Sequence, residues 1–264
     1  MNELGNSSML VELYRRYRDA LDVIEHDARP VGYDWGALPN PLDVLWLPYR
    51  SMFDEFSREI ANSLNQLNDY TCRLKAWNVV TASMTDNEKL DATHEFIDPI
   101  ATAGLTLPYV IRSRFIFAAA HLSHQANRSR DGMSWEDDFP LDQHVYFEAA
   151  DKHGSGWRKY NDFKRRIEKI GGNDFKEETR DFRNAYNHRF SPRFVIGITQ
   201  IAKRELDRTT KQVGYSFGGL PALSLDIVVA AMTEQYNRGR DAFNAFQALV
   251  REQEASIVAY SLRT

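Results

Sequence analysis

Apolar side chains recur at helical spacing along most of the chain. Leu10, Leu13, Tyr14, Tyr17, Leu21 and Ile24 form a first stripe, with Glu12, Arg15, Asp19 and Asp22 on the opposite face. Ser7 and Ser8 predict its N-cap. A connection holding Pro30, Gly32, Gly36, Pro39 and Pro41 must be irregular. Beyond it Met52, Phe53, Phe56, Ile60, Leu64, Leu67, Leu74 and Trp77 predict a long helix over about 42–81, which Pro48 either kinks or begins. Thr85-Asp86-Asn87-Glu88 has the capping-box pattern and predicts a short helix ending before Pro99. Residues 107–128 are apolar on most sides, the mark of a helix central in a core.

The second half is more broken. Residues 129–140 read as a surface loop, followed by a helix over 141–151. Trp157, Tyr160, Phe163, Ile167 and Ile170 predict a helix over 156–170, stopped by Gly171-Gly172. Asn173 then caps a helix running to Phe190. Residues 195–201 and 213–217 fit two short strands or a helix plus a loop, and a long amphipathic helix over about 224–256 closes the chain. No repeat or low-complexity tract marks a boundary. The predicted class is all-α, a helical bundle with room for one small β-hairpin near 195–217. It forms a single domain over 1–264, with helices of 1–128 packing on helices of 141–256.

Composition changes this picture little. A hydrophobic share of 43% and a charged share of 27% exclude a disordered chain. The net charge of −4 excludes a general basic coat for nucleic acid and leaves a local basic site open. Cys72 is the one cysteine, so an internal disulfide and a cysteine-based zinc site are excluded. The first 30 residues lack the layout of a signal peptide, and the most apolar run, 109–122, is short and interrupted by Arg112 and Arg114. These features predict a soluble, cytoplasmic protein with no membrane partner.

On a helix over 173–190, Phe175, Thr179, Phe182 and Tyr186 cluster on a face directed to the core. Arg180, Arg183, Asn184, Asn187 and His188 follow the i, i+3, i+4, i+7, i+8 rule and form a second stripe. It offers guanidinium groups for phosphate, an imidazole for proton transfer and carboxamides to orient either, and it lacks a carboxylate. The chemistry suggested is metal-independent handling of a phosphodiester. The plainer alternative is a solvated polar face.

Arg183-Asn184-x-x-x-His188 resembles the signature of the HEPN superfamily, in which four to six residues separate an arginine, commonly followed by a polar residue, from a histidine. HEPN domains are helical bundles that usually dimerise, and many are metal-independent endoribonucleases of toxin–antitoxin, CRISPR and anti-phage systems. The resemblance implies catalytic roles for Arg183 and His188, with Asn184 orienting the histidine or the phosphate. Arg180 and Asn187 are weaker, substrate-binding additions. It further implies RNA as substrate, a homodimer through the motif helix, an antitoxin or other partner protein, and no cofactor or metal. A tyrosine two residues after the histidine, which some HEPN toxins carry, is Phe190 here. The alternative within the same resemblance is a non-catalytic HEPN-like interaction or ligand-binding module.

Other motifs weigh less. His121-x-x-His124 has a spacing able to hold a metal, but no carboxylate or third histidine stands obviously nearby in sequence, so a pair of packed or surface histidines is expected. Arg112, Arg114 and Arg128 are expected in structural pairs, and Lys159 with Lys164-Arg165-Arg166 on a solvated face diluted by Asp162 and Glu168. Gly218-Gly219-Leu220-Pro221 is a turn without the ending of a phosphate loop.

Overall fold

A computed structural model describes residues 2–24, 30–206, 209 and 211–263. The chain is mostly helical, as the periodicity predicts, and carries two small antiparallel sheets. Helix α1 spans Asn2–Asp22, so Ser7 and Ser8 lie inside it and not at its cap. Helix α2 spans Leu47–Thr81 and is preceded by a 3-10 turn that Asp43 caps through Leu45 N. Pro48 therefore marks the helix start, where its missing N–H leaves no bond unmade.

The capping box is present. Thr85 and Glu88 bond reciprocally and open α3, Asp86–Ala92. This helix does not stop before Pro99. A π-turn over Thr93–Ile97 carries it into α4, Asp98–Asp131, and Pro99 falls in the first turn of α4, where proline is tolerated. Pro108 lies inside α4. Short helices α5 (Phe147–Gly154), α6 (Tyr160–Ile167), α7 (Asn173–Glu178) and α8 (Phe182–His188) follow. Strands β1 (Ile198–Thr199) and β4 (Leu220–Pro221) pair with each other, and β2 (Ala202–Leu206) pairs with β3 (Val213–Phe217). The 213–217 strand lies where the pattern put it; its partner is 202–206 and not 195–201. Helix α9, Leu225–Ser261, closes the fold.

The chain divides into two compact units, and each draws on early and late helices. The first comprises 1–28, 68–106 and 173–234. Its core stacks Trp77 between Tyr17 (4.6 Å between ring centres) and Phe96 (5.1 Å). Here α4 and α9 meet so closely that a Cβ on Gly104 would lie 2.3 Å from the Met232 side chain. The second unit comprises 29–67, 107–172 and 235–264. Tyr49, Ile60, Leu64, Phe115, Phe163, Ile167 and Phe246 are fully buried in it, and Gly239 admits the Leu64 side chain. A buried polar chain crosses this core: Tyr49 donates to Gln253 Oε1 (3.0 Å), and Gln253 Nε2 donates to Ser123 Oγ (2.9 Å). With its partners in place such a chain adds specificity without an unpaired group. Cys72 is buried as an apolar residue, and Arg114 pairs with Glu59 (3.0 Å). Among the described residues no helix is long and apolar enough to cross a membrane.

Trp77 is 1% exposed between two stacked rings. Trp77→Ala is expected to lower unfolding free energy by about 3–5 kcal/mol, measured by urea denaturation; a loss under ~1 kcal/mol would contradict this packing.

Candidate functional site

The motif segment is not one helix. Thr179 Oγ1 donates to Phe175 O (2.6 Å) at the end of α7, and Arg180 and Asp181 then take left-handed conformations, with φ of 55° and 52°. Neither is glycine, and two consecutive residues in this region carry a steric cost. The expected single face over 173–190 is therefore corrected: Arg180 lies in the break, and only Arg183, Asn184, Asn187 and His188 share a helix, α8. Arg180 is half-buried, and its Nη1 donates to Pro221 O on β4 at 2.6 Å.

Phe182 and Ala185 anchor α8. Phe182 is buried against Phe194 (5.3 Å), itself fixed where Val195 N donates to Leu223 O and Leu223 N donates to Arg193 O. Tyr186, expected in the core, stacks on Phe182 at 5.7 Å but stays 48% exposed. At about 100° per residue, Arg183, Asn187, Asn184 and His188 cover an arc of about 140° opposite the anchors. Arg183, Asn187 and His188 are exposed and Asn184 half-buried, its Nδ2 donating to Asp181 Oδ2 at 2.8 Å. Between 180 and 193 the chain carries Arg180, Arg183, Arg189 and Arg193 against the single carboxylate Asp181, so this segment is locally basic although the whole chain is acidic.

A second cluster lies in the second unit. His121 and His124 on α4 and His153 on α5 are all buried, under a loop that brings Asp137, Asp138, Phe139 and Asp142 to them. Phe139 contacts all three imidazoles, with ring centres 4.5–5.2 Å away, and Trp135 Nε1 donates to His124 O (3.1 Å). His124 Nε2 lies 3.2 Å from Asp137 Oδ1. His121 Nε2 is 3.3 Å from Asp142 Oδ1 but off hydrogen-bond alignment, so it stays a buried nitrogen without a hydrogen-bond partner. His121-x-x-His124 was readable as a spacing. Its companions, Asp138 and His153, were not, because a loop and a helix boundary separate them in sequence. A further cavity of about 240 Å³, lined by Tyr33, Asp34, Arg50, Phe53 and Glu254 among others, contains no residue of either cluster.

A scan of family models and searches of curated proteins and of solved structures return no match to this chain.

Burial pushes the pKa of His121, His124 and His153 below the ordinary imidazole value, against the opposing pull of Asp142, Asp137 and Asp138. A depressed imidazole makes the neutral form the one that stabilises the fold. That contribution is full above the unfolded value of about 6.5 and is lost as pH falls toward the folded value. Glu254 and Asp98, whose carboxyls burial pushes up, act in the opposite sense. The wild-type urea midpoint is expected to fall from pH 7 to pH 5 more steeply than that of His121→Leu. Equal slopes would contradict the assignment.

Proposed function

We propose that the chain is a metal-independent endoribonuclease of the HEPN type, acting as a homodimer. The observation that carries this reading is the exposed arc of Arg183, Asn184, Asn187 and His188, held outward by the buried Phe182 and Ala185. Arg183 and His188 are five residues apart, about 140° around the helix, so one chain does not readily close both on one phosphate. Two copies related by a two-fold axis, each contributing its arc, remove that difficulty.

The β2–β3 hairpin supports the dimer. Leu206 pairs with Val213, Arg204 with Tyr215 and Ala202 with Phe217, so one face carries the apolar set and the other Lys203, Glu205 and Ser216. Leu206, Val213, Tyr215 and Phe217 are 54–83% exposed. A bare two-stranded hairpin is marginal in water, and a second copy would cover this face.

In the proposed reaction a ribose 2′-hydroxyl attacks the adjacent phosphorus as the bond to the 5′-oxygen breaks, leaving a 2′,3′-cyclic phosphate and a 5′-hydroxyl. His188 takes the 2′-hydroxyl proton as general base or gives one to the departing 5′-oxygen as general acid, the other transfer running through water, and Arg183 stabilises charge on the phosphorane oxygens. Asn184 orients the histidine or the phosphate, and Asn187 and the neighbouring arginines hold RNA. A toxin–antitoxin or anti-phage setting, with a protein partner that restrains the enzyme, follows from the family resemblance. The second reading, a non-catalytic module, is favoured by the internal bonds that engage Arg180 and Asn184.

Wild-type protein is expected to cleave a mixed RNA pool in EDTA, and His188→Ala and Arg183→Ala to lose at least about 100-fold in rate. Full activity in both variants would reject these roles. Tyr215→Lys with Phe217→Lys is expected to shift a wild-type dimer to monomer in sedimentation; a wild-type monomer would reject the dimer.

A further inference from the structure

We propose that His124, His153 and Asp138 form a binding site for a first-row divalent cation of the zinc class. One donor atom from each residue lies within 4.8 Å of the other two. A tetrahedral cation with nitrogen and oxygen ligands at about 2.0–2.1 Å requires donors about 3.3 Å apart. Asp138, on the loop between α4 and α5, already brings Oδ1 to 3.9 Å from His153 Nε2, so closing the difference there takes a modest side-chain movement.

The second observation is an orphan. His153 is 5% exposed, and its Nε2 is buried without a hydrogen-bond partner, 3.9 Å from Asp138 Oδ1. A buried ring nitrogen in that state is costly unless something satisfies it, and a cation on its lone pair would. The His124 ring stands 4.9 Å from the His153 ring, and Phe139 packs on both, giving the site an apolar wall. Burial favours neutral imidazoles, the form that ligates.

The surroundings are acidic. Asp137 stands at His124 Nε2, and a carboxylate on the other ring nitrogen of a ligating histidine is the usual outer partner of such a site. Lys152 Nζ is the opposing charge. It sits 2.5 Å from Asp138 Oδ2, which leaves Oδ1 for the cation. Two imidazoles and one carboxylate suit zinc, cobalt or iron(II), while magnesium and calcium prefer all-oxygen sets. Three protein ligands leave coordination open for water or a further group. This site does not rest on the ribonuclease reading, since cation binding and cleavage in EDTA are separate readouts.

The test is calorimetric titration of the EDTA-stripped, dialysed full-length chain with zinc chloride, with cobalt(II) ligand-field absorption as a second probe. One equivalent per chain is expected. His153→Ala and His124→Ala should weaken binding by more than about 100-fold, and Asp138→Asn by at least about 10-fold. His94→Ala, an exposed histidine of the first unit, should leave binding unchanged. Circular dichroism checks folding. Should the histidine variants unfold, Asp138→Asn decides alone, because its side chain is half exposed. No stoichiometric binding, or binding that survives Asp138→Asn, overturns the proposal.

Discussion

Helices α2, α4 and α9 run for 35, 34 and 37 residues, and each must bury an apolar stripe over nearly its whole length. A helix of that size gains little from propensity alone; its stability comes from the face it hides. The structure meets that demand by close approach. Gly104 lets Met232 in within the first unit, and Gly239 lets Leu64 in within the second. An alanine at either position would put a methyl group where a neighbouring side chain already stands. One candidate site sits on the short helix α8, and the other joins the long helix α4 to the short helix α5 and the loop between them.

Both candidate sites follow from that division. Helix α8 is too short to persist alone, and Phe182 and Ala185 hold it. The left-handed pair Arg180–Asp181 separates it from α7, and Asp181 offsets part of the local cost by accepting from Asn184. What remains facing solvent is a polar arc with one imidazole and one guanidinium about 140° apart. In the second unit, the loop after α4 brings carboxylates over histidines that the helix packing has already buried. The same stripe that makes α4 a core helix thus removes His121 and His124 from water.

Most of the helical frame was legible because amphipathic periodicity is a direct record of burial. The stripe Trp157, Tyr160, Phe163, Ile167 and Ile170 is buried throughout, although α6 itself is shorter than the pattern predicts and ends at Ile167, ahead of Gly171 with its φ of 60°. The Thr85–Glu88 box was equally plain, since it is made of contacts three residues apart. Its helix was cut short at Pro99 because a π-turn leaves no sequence mark. The break at Arg180 was invisible for a related reason: a positive φ at a residue other than glycine is set by tertiary packing. The break takes Arg180 out of the stripe, while Tyr186 keeps its stack on Phe182 and still stands exposed. The third histidine and the carboxylate of the second cluster depend on long-range placement, which one sequence does not print.

We propose that α8 presents catalytic groups that two chains share. The most direct measurement mixes Arg183→Ala protein with His188→Ala protein and follows RNA cleavage in EDTA. A mixed dimer holds one intact arginine and one intact histidine on different chains. The account predicts that two inactive variants together regain cleavage to within about an order of magnitude of wild type, with 2′,3′-cyclic phosphate ends. Mixed variants that stay inactive beside an active wild type would contradict the shared site, and an inactive wild type would contradict the ribonuclease itself.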